Sequence, residues 1–249
     1  VDPATLGGAG YRFMTRVALP RADGVIANSR MTLEAARPFL RRAALSVVIP
    51  SASGVRIGAT RPARQPGPLR IGMLARIDPF KGQRLLLDAY SRVFVDSDIV
   101  LEFAGGTAPG REEYAASLTR HAVELGLADR VRLLGYVEDV GALLSRWDIA
   151  VQFATRPEPL GQYVLQYLAA GCVTVVADEG GQVDWVVDGV NGVRVPPRDV
   201  GALARTLRDL VEDVARRDRL GAAAATTPGL LDDPAVARAH TAFYRRVRA

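Results

Sequence analysis

The sequence predicts an α/β fold, a doubly wound parallel sheet with helices on both of its faces. From about residue 69, short β-rich runs alternate with helical patterns, which is typical of consecutive strand–helix–strand units. These runs are almost continuously apolar, as expected for strands that helices cover on both sides. A Pro-, Gly- and Arg-rich segment over 58–68 separates them from one earlier strand–helix–strand unit, which is too small to form a core of its own. We therefore expect the sheet to follow the end of another domain.

The predicted elements come in a regular order along the chain. The early unit consists of a strand over 22–29, a helix over 30–40 and a strand over 45–51. The main sheet alternates strands over 69–76, 98–106, 130–137, 148–155 and 173–179 with helices over 82–94, 111–127, 140–147 and 161–171. A short helix over 182–189, a hairpin-like segment over 191–197 and one long helix over 200–220 follow. A break over 226–234 precedes the last helix, over 235–247.

This order divides the chain into four parts. Residues 1–57 are expected to be the tail of the first domain and residues 58–68 a linker. Residues 69–228 are expected to form the main domain, which binds the ligand. Residues 229–249 are expected to be a C-terminal helix that packs back on the first domain.

The composition excludes several classes of protein. The chain has 249 residues, a net charge of +5 and 32 basic side chains, of which only Lys81 is a lysine. The arginines are scattered, without a nucleic-acid-binding motif, so we expect anionic small molecules or an anionic surface as partners and no nucleic acid. The single cysteine, Cys172, lies in an apolar run and predicts a buried, inert thiol in a reducing, cytoplasmic compartment. Metal-ligand spacing is absent, and no apolar run reaches the ~20 residues of a membrane-spanning helix.

Two cationic side chains are predicted at the carboxyl edge of the sheet, where parallel strands end and ligands bind. Arg76 closes the first strand of the main domain, and Lys81 stands just before the following helix. A guanidinium fork and a compact ammonium near a helix N-terminus are suited to a diphosphate. A phosphate contact too narrow for a planar guanidinium would explain why one lysine persists among arginines.

An acidic loop is predicted at the end of another strand, in the stretch PEPLGQYVLQYLAAG. Glu158 would repel phosphate there, but a carboxylate can accept hydrogen bonds from paired hydroxyl groups. The backbone N–H groups of Leu160, Gly161 and Gln162 are expected to be unpaired at the helix start. Gln166, one turn further on the same polar stripe, should contact a different part of the ligand. A solvated helix face preceded by a chance glutamate is the alternative interpretation.

The rule that ligands bind at the carboxyl ends of parallel strands, here called the edge rule, also divides the glycines into two groups. Gly105-Gly106 and Gly180-Gly181 follow strands and should line a cleft, whereas Gly126 and Gly171 fall at helix ends and are predicted C-caps.

Together these segments resemble the retaining glycosyltransferases of the GT-B fold, specifically the large fourth family that uses nucleotide-diphosphate sugars. The matching pieces are, in order, ADGVIANS, VVIPS, LARIDPFKG, EFAGG, VRLLGYVEDVGALLSRWDIAV, RPEPLGQYVLQYLAAG and VVADEGGQVDWVVDGVNGVRVPPRDVGALARTL. The resemblance implies two facing Rossmann-like domains, with the acceptor bound mainly by the first and the donor by the second. Only the tail of the first domain is recognised, so we expect the chain to be a fragment that is inactive in isolation.

The resemblance also implies roles for the candidate residues. Arg76 and Lys81 would clamp the diphosphate, and Glu158, aided by the Leu160, Gly161 and Gln162 amides, would hold hydroxyls of the transferred sugar. Gln166 stands where the family usually has a second glutamate, which holds the ribose. A glutamine loses the charge and part of the accepting capacity, so weaker or altered nucleotide preference is expected. The base would lie near Gly105, Tyr136 and Val137.

The implied reaction is transfer of a hexose from the nucleotide-diphosphate donor to an acceptor hydroxyl, with retention at the anomeric carbon. Arg76, Lys81 and the helix N-termini would stabilise the leaving diphosphate, so neither a metal nor another cofactor is expected. A double displacement with Glu158 as the nucleophile stays open. The acceptor is a saccharide, a lipid or a small molecule, and arginines near the C-terminus (Arg245, Arg246, Arg248) are compatible with peripheral contact to an anionic membrane. The alternatives are a non-catalytic nucleotide-sugar-binding relative or a partner subunit, and, less favoured, a sugar-nucleotide epimerase.

Overall fold

The computed structural model describes residues 3–58 and 66–248, with side chains from residue 7 onward. The strands are β1 (Gly24–Ala27), β2 (Leu45–Val48), β3 (Arg70–Leu74), β4 (Val100–Ala104), β5 (Val131–Gly135), β6 (Ile149–Gln152), β7 (Val173–Ala177) and β8 (Val193–Val195). The α-helices are α1 (Pro3–Phe13), α2 (Leu19–Arg21), α3 (Arg30–Ala36), α4 (Gln83–Ser91), α5 (Glu112–Glu124), α6 (Val140–Ser145), α7 (Gln162–Ala169), α8 (Val200–Glu212), α9 (Val214–Ala225) and α10 (Asp233–Arg248). Tighter or wider turns occupy Met14–Ala18, Arg37–Phe39, Pro79–Lys81 and Gly181–Asp184.

The chain forms two compact units. One consists of Val1–Ala52 together with Leu231–Ala249, and the other of Ser53–Leu230. The predicted domain bounds stay predictions, and most of the predicted linker (59–65) lies outside the described residues.

The first unit is built around β1 and β2, which pair in parallel. Ser29 begins the connecting helix α3, because its hydroxyl accepts a hydrogen bond of 3.1 Å from the Thr32 N–H. Helix α10 packs on β1 at Gly24, where an added Cβ would lie 2.5 Å from a methyl group of Val247 and 3.0 Å from the Phe243 ring. The early strand–helix–strand prediction is therefore confirmed.

The second unit contains a six-stranded sheet in the order β5-β4-β3-β6-β7-β8, with all neighbouring strands parallel. The chain moves outward from β3 to β5 and then returns to the other side of β3 with β6. The strand order therefore reverses between β3 and β6, where an α/β sheet opens a crevice at its carboxyl edge. This confirms the predicted fold class.

Helices bury both faces of this sheet, as the apolar strands predict. On one face, Ile71, Met73 and Val151 pack against α4, α5 and α8. On the other, Leu74 and Cys172 pack with Trp147 and Tyr167. Cys172 is fully buried, in agreement with the prediction of an inert thiol.

Two local predictions are wrong. The hairpin-like segment over 191–197 is instead a parallel strand: β8 pairs with β7, because its two valines alternate onto the buried face. The long helix over 200–220 is broken at Asp213, whose backbone leaves the helical region and whose carboxylate accepts from the Arg216 N–H at 2.8 Å. Aspartate is favoured as an N-cap, so the residue begins a new helix, α9.

The predicted C-caps are confirmed. Gly126 and Gly171 follow α5 and α7, and each is succeeded by an N–H that bonds back across the helix end. These bonds run from Leu127 to Ala122 at 2.8 Å and from Cys172 to Tyr167 at 2.9 Å.

Candidate functional site

The loops that follow β3 and β6 are fastened to each other at the carboxyl edge. The Thr155 N–H donates to the Phe80 carbonyl at 2.9 Å. Gly82 comes so close to the other loop that an added Cβ would lie 1.9 Å from the Phe153 carbonyl oxygen, and its φ of +79° is left-handed. Only glycine meets both conditions. The loops therefore have a fixed spacing.

Tyr167 reinforces that spacing from below. Its buried hydroxyl accepts from the Leu74 N–H at 2.7 Å and lies 3.4 Å from the Val151 carbonyl, so it bridges the last residues of β3 and β6. Burial raises the pKa of Tyr167 well above its usual value, which keeps the hydroxyl protonated and able to donate as well.

Lys81 and Glu158, 77 positions apart in the sequence, meet in an ion pair between the Lys81 Nζ and the Glu158 Oε1. Their side chains are only 13% and 6% exposed. The same ammonium lies 5.1 Å from the centre of the Phe80 ring and 5.5 Å from that of Tyr163. Two aromatic rings and a carboxylate thus surround one compact cation, a space suited to an ammonium rather than to a guanidinium fork.

Arg76 reaches the same edge from the end of β3. Its carbonyl accepts from the Gln83 side-chain N–H at 2.8 Å, and Gln83 is fully buried, so the Arg76 backbone is held firmly. The Arg76 residue itself is exposed and its guanidinium has no ion pair with any other described residue. It is therefore a cation open to a ligand.

Arg156 is a further cation that the sequence reasoning missed. It lies two residues before Glu158, and its guanidinium carbon is 4.2 Å from the centre of the Phe80 ring, the same ring that contacts Lys81. Within the described part of the chain, Arg156 has no ion pair either. The sequence signal for Arg156 was its position in the RPEP stretch, two residues before Glu158. The charge of an arginine does not by itself show in which direction its side chain extends.

The two predicted glycine pairs have different surroundings. Cβ atoms added at Gly180 and Gly181 would lie 2.7 Å from the Glu158 carbonyl oxygen and 2.1 Å from that of Pro159. The Gly181 N–H also donates to the Glu158 carbonyl at 2.7 Å. This pair therefore packs against the Glu158 loop. Gly105 approaches the end of β3, with an added Cβ 2.1 Å from the Ala75 carbonyl oxygen, whereas a Cβ added at Gly106 would meet open space.

The residues predicted around the helix start lie in α7 and just before it. Leu160 is buried, Gly161 is the left-handed N-cap and Gln162 is the first helical residue. Gln166 follows one turn later, with a buried Oε1 that has no hydrogen-bond partner among the described residues. Its Nε2 would lie 3.4 Å from a Cβ added at Gly54. A buried acceptor without a partner is favourable only when something else donates to it.

Gly105, Tyr136 and Val137 lie together on the other side of β3. The Gly105 N–H donates to the Gly135 carbonyl at 2.7 Å, which joins the ends of β4 and β5. Tyr136 follows and is 82% exposed, whereas Val137 packs against the apolar face of the sheet. An exposed aromatic ring at the edge of a crevice is available to stack on a flat ligand group.

Two features are absent from the described residues. They contain no group of three or more His, Cys, Asp or Glu side chains placed to hold a metal ion. None of the described helices combines the length and apolar character that a membrane crossing requires.

Comparison with known proteins agrees with this architecture. The sequence model of the family described as "Glycosyl transferases group 1" matches residues 60–227. The D-inositol 3-phosphate glycosyltransferase of Streptomyces avermitilis is 32% identical over 229 residues, 82% of this chain and 47% of the relative. The enzyme of the same name from Nocardioides sp. is 31% identical over 218 residues, 79% and 48% of the two chains. This chain therefore spans about half the length of the curated relatives it matches.

Solved structures give the same result for the fold. Anabaena HepE in complex with UDP superposes with a TM-score of 0.87 and 25% identity, covering 99% of this chain and 70% of that chain. Sucrose-phosphate synthase of Thermosynechococcus elongatus, at 24% identity and a TM-score of 0.80, covers 95% and 61% and supports the fold alone. The match over residues 60–227 and the identity to the curated relatives lead to one conclusion: the chain belongs to the glycosyl transferases group 1 family.

Proposed function

We propose that this chain is the donor-binding part of a glycosyltransferase that moves a hexose from a nucleotide-diphosphate sugar to an acceptor hydroxyl, with retention and without a metal. The observation that carries the proposal is the buried Lys81–Glu158 pair at the reversal point of the sheet, flanked by two unpaired arginines. In this arrangement, a carboxylate that can accept hydrogen bonds from hydroxyl groups lies directly beside cations that can bind phosphate.

The cations are assigned to the diphosphate. Lys81 is already compensated by Glu158, so Arg76 and Arg156 supply the net positive charge at this edge. As the glycosidic C–O bond breaks, negative charge grows on the leaving diphosphate, and fixed cations lower the energy of that transition state. This is the contribution a metal ion makes in other phosphate-releasing enzymes, and here it is assigned to side chains.

The carboxylate is assigned to the sugar. Glu158 is buried and keeps one oxygen, Oε2, that makes no ion pair in the described part of the chain. That oxygen can accept from hydroxyls of the transferred hexose, with the amides at the start of α7 nearby. Solved complexes of Anabaena HepE contain UDP and UDP-glucose, which supports a donor of this chemical class.

The nucleoside is assigned to Gln166 and to the Gly105–Tyr136 region. The buried Oε1 of Gln166 can accept one ribose hydroxyl, and Tyr136 can stack on the base. Because the named relatives act on D-inositol 3-phosphate, a phosphorylated polyol is the first acceptor to test.

Calorimetry with UDP, UDP-glucose, ADP-glucose and GDP-mannose tests donor binding by this chain. We expect at least one nucleoside diphosphate to bind more tightly than its nucleoside. Absence of binding to all of them at millimolar concentration would refute the proposal. Transfer to inositol 3-phosphate by the full-length protein, with the anomer identified by NMR, tests the reaction and its retention.

Gln166 favours one second candidate, a non-catalytic nucleotide-sugar-binding relative or partner subunit, because it lacks the charge of a glutamate. Donor binding by the full-length protein without either transfer or donor hydrolysis would support that alternative.

A further inference from the structure

Arg198 has an unusual backbone for its residue type. It is the only non-glycine residue with positive φ in the described ranges, at +62°. It lies between β8 and the N-cap of α8, Asp199. An L residue is disfavoured in this conformation and adopts it only where surrounding contacts hold it there. For Arg198, the contacts of its side chain hold the backbone in this conformation.

The Arg198 guanidinium joins two other loops at the carboxyl edge. It forms a two-pronged ion pair with Glu179, with 3.1 Å between Nη2 and Oε2, and its Nη1 also donates to the Thr155 carbonyl at 3.2 Å. The hydrogen bond that Arg198 donates to the Glu179 carboxylate raises the pKa of Arg198 above its usual value, so the guanidinium stays charged. Only the planar fork of arginine reaches both partners at once.

Both partners lead directly to Glu158. Thr155 is three residues before it, and the Thr155 N–H is bonded to the loop that carries Lys81. Glu179 immediately precedes Gly180-Gly181, the pair that packs against the Glu158 loop. The loop is therefore held by hydrogen bonds that Arg198 donates to the Thr155 carbonyl and Gly181 donates to the Glu158 carbonyl.

We propose that Arg198 is a positioning residue that holds the Glu158 loop at the distance from Lys81 that sugar transfer requires. This role rests on the proposed function. An ion pair whose arginine is half exposed contributes little to folding stability, so the effect should be on the geometry of the site. Displacement of a reacting group by about 1 Å can lower a rate about 100-fold.

The test compares three variants with a distant control. Arg198→Asn keeps a residue that tolerates the left-handed backbone but removes the fork, whereas Arg198→Lys keeps the charge alone. Glu179→Gln removes the carboxylate charge from the other side. Arg120→Ala removes an ion pair on α5, with Glu113, whose arginine is about as exposed as Arg198, and is the control.

We expect Arg198→Asn to lower donor turnover by the full-length protein about tenfold or more while its melting temperature stays equal to or above that of the wild type. Arg198→Lys and Glu179→Gln should show smaller losses of turnover. The double variant Arg198→Asn, Glu179→Gln should lose no more turnover than Arg198→Asn alone, because both changes remove the same interaction. The control should not change turnover. Unchanged turnover in Arg198→Asn, or a loss matched by a fall in melting temperature, would overturn the proposal.

Hydrogen exchange makes the result independent of the reaction. Exchange of the Thr155 and Gly181 amides should be at least severalfold faster in Arg198→Asn than in the wild type, without any ligand. If the wild type binds none of the four nucleotides named above, the proposed function fails, and exchange alone decides whether Arg198 holds the loop: unchanged exchange at both amides overturns the positioning role, and faster exchange supports its structural part.

Discussion

Replacing Glu158 by glutamine should separate the recognition of the two halves of a nucleotide sugar. The Glu158 carboxylate is paired with the Lys81 ammonium, so a diphosphate that binds Lys81 has to displace it. Glu158→Gln removes that competition and a like charge, and UDP should bind at least as tightly as to the wild type, up to about tenfold tighter. The hexose part of UDP-glucose loses a charged acceptor, and a hydrogen bond to a charged group is worth about 1.5–3 kcal/mol.

The ratio of the two dissociation constants isolates this effect. Freed Lys81 benefits UDP and UDP-glucose equally, so its contribution cancels in the ratio. The ratio of the UDP-glucose constant to the UDP constant should rise about 10- to 150-fold, since about 1.4 kcal/mol is a factor of ten. Isothermal titration of this chain with UDP, UDP-glucose and uridine measures it. An unchanged ratio would show that Glu158 makes no contact with the sugar.

Lys81→Ala supplies the complementary measurement. It should weaken UDP far more than uridine, because only UDP carries the phosphates. It also leaves Glu158 buried without its partner, which can lower the free energy of unfolding by about 3–5 kcal/mol. The double variant Lys81→Ala, Glu158→Gln removes that unpaired charge and is the control for misfolding. Equal weakening of UDP and uridine would mean that the site had merely been damaged.

Three further predictions address other parts of the chain. By calorimetry, Gln166→Glu should bind uridine as tightly as the wild type or more tightly. Without ligand, its free energy of unfolding in urea should fall by about 1–3 kcal/mol, because a charge replaces a buried amide oxygen. A large loss of uridine affinity would mean that the pocket is built around the amide. Gly82→Ala should destabilise the protein by at least about 1 kcal/mol more than Gly110→Ala, which has a similar φ but open space instead of the Phe153 carbonyl, and equal melting temperatures would contradict the close approach. Burial raises the pKa of Tyr90 from 10.0 to about 12, so its contribution to stability is present below pH 10.0 and is lost as the pH rises towards about 12; Tyr90→Phe should flatten this part of the melting-temperature profile.

Much of the sheet could be predicted from the sequence because its strands are buried on both faces. A largely apolar run such as 69–76 is expected to be covered by helices, and β3 occupies its centre, from Arg70 to Leu74. Beyond the strand, the Ala75 N–H still donates to the Ala104 carbonyl at 2.9 Å, so the chain follows the neighbouring strand into the site loop. Strand β8 was predicted wrongly, as a hairpin-like segment, because its three residues are too few to show the alternation of a strand.

The position of Lys81 beside Glu158 needed more than periodicity. The edge rule places each residue at the carboxyl ends of the strands, but it does not show that β3 and β6 are neighbours. The order and spacing of the motifs supplied that adjacency, through resemblance. Arg156 and Arg198 were beyond both kinds of reasoning, since their roles depend on the direction of a long side chain from a loop.

An ion pair inside the proposed donor site makes ligand binding an exchange of partners. Glu158 and Lys81 stabilise each other, and so avoid the unfavourable burial of either charge alone. A diphosphate alone can satisfy only the lysine and leaves the carboxylate without a donor. A hexose alone can satisfy only the carboxylate and gains nothing from the cations. A ligand that carries both groups within a few ångströms would replace the pair on both sides at once, so under the proposed function we expect this arrangement to favour an intact nucleotide sugar over either of its halves.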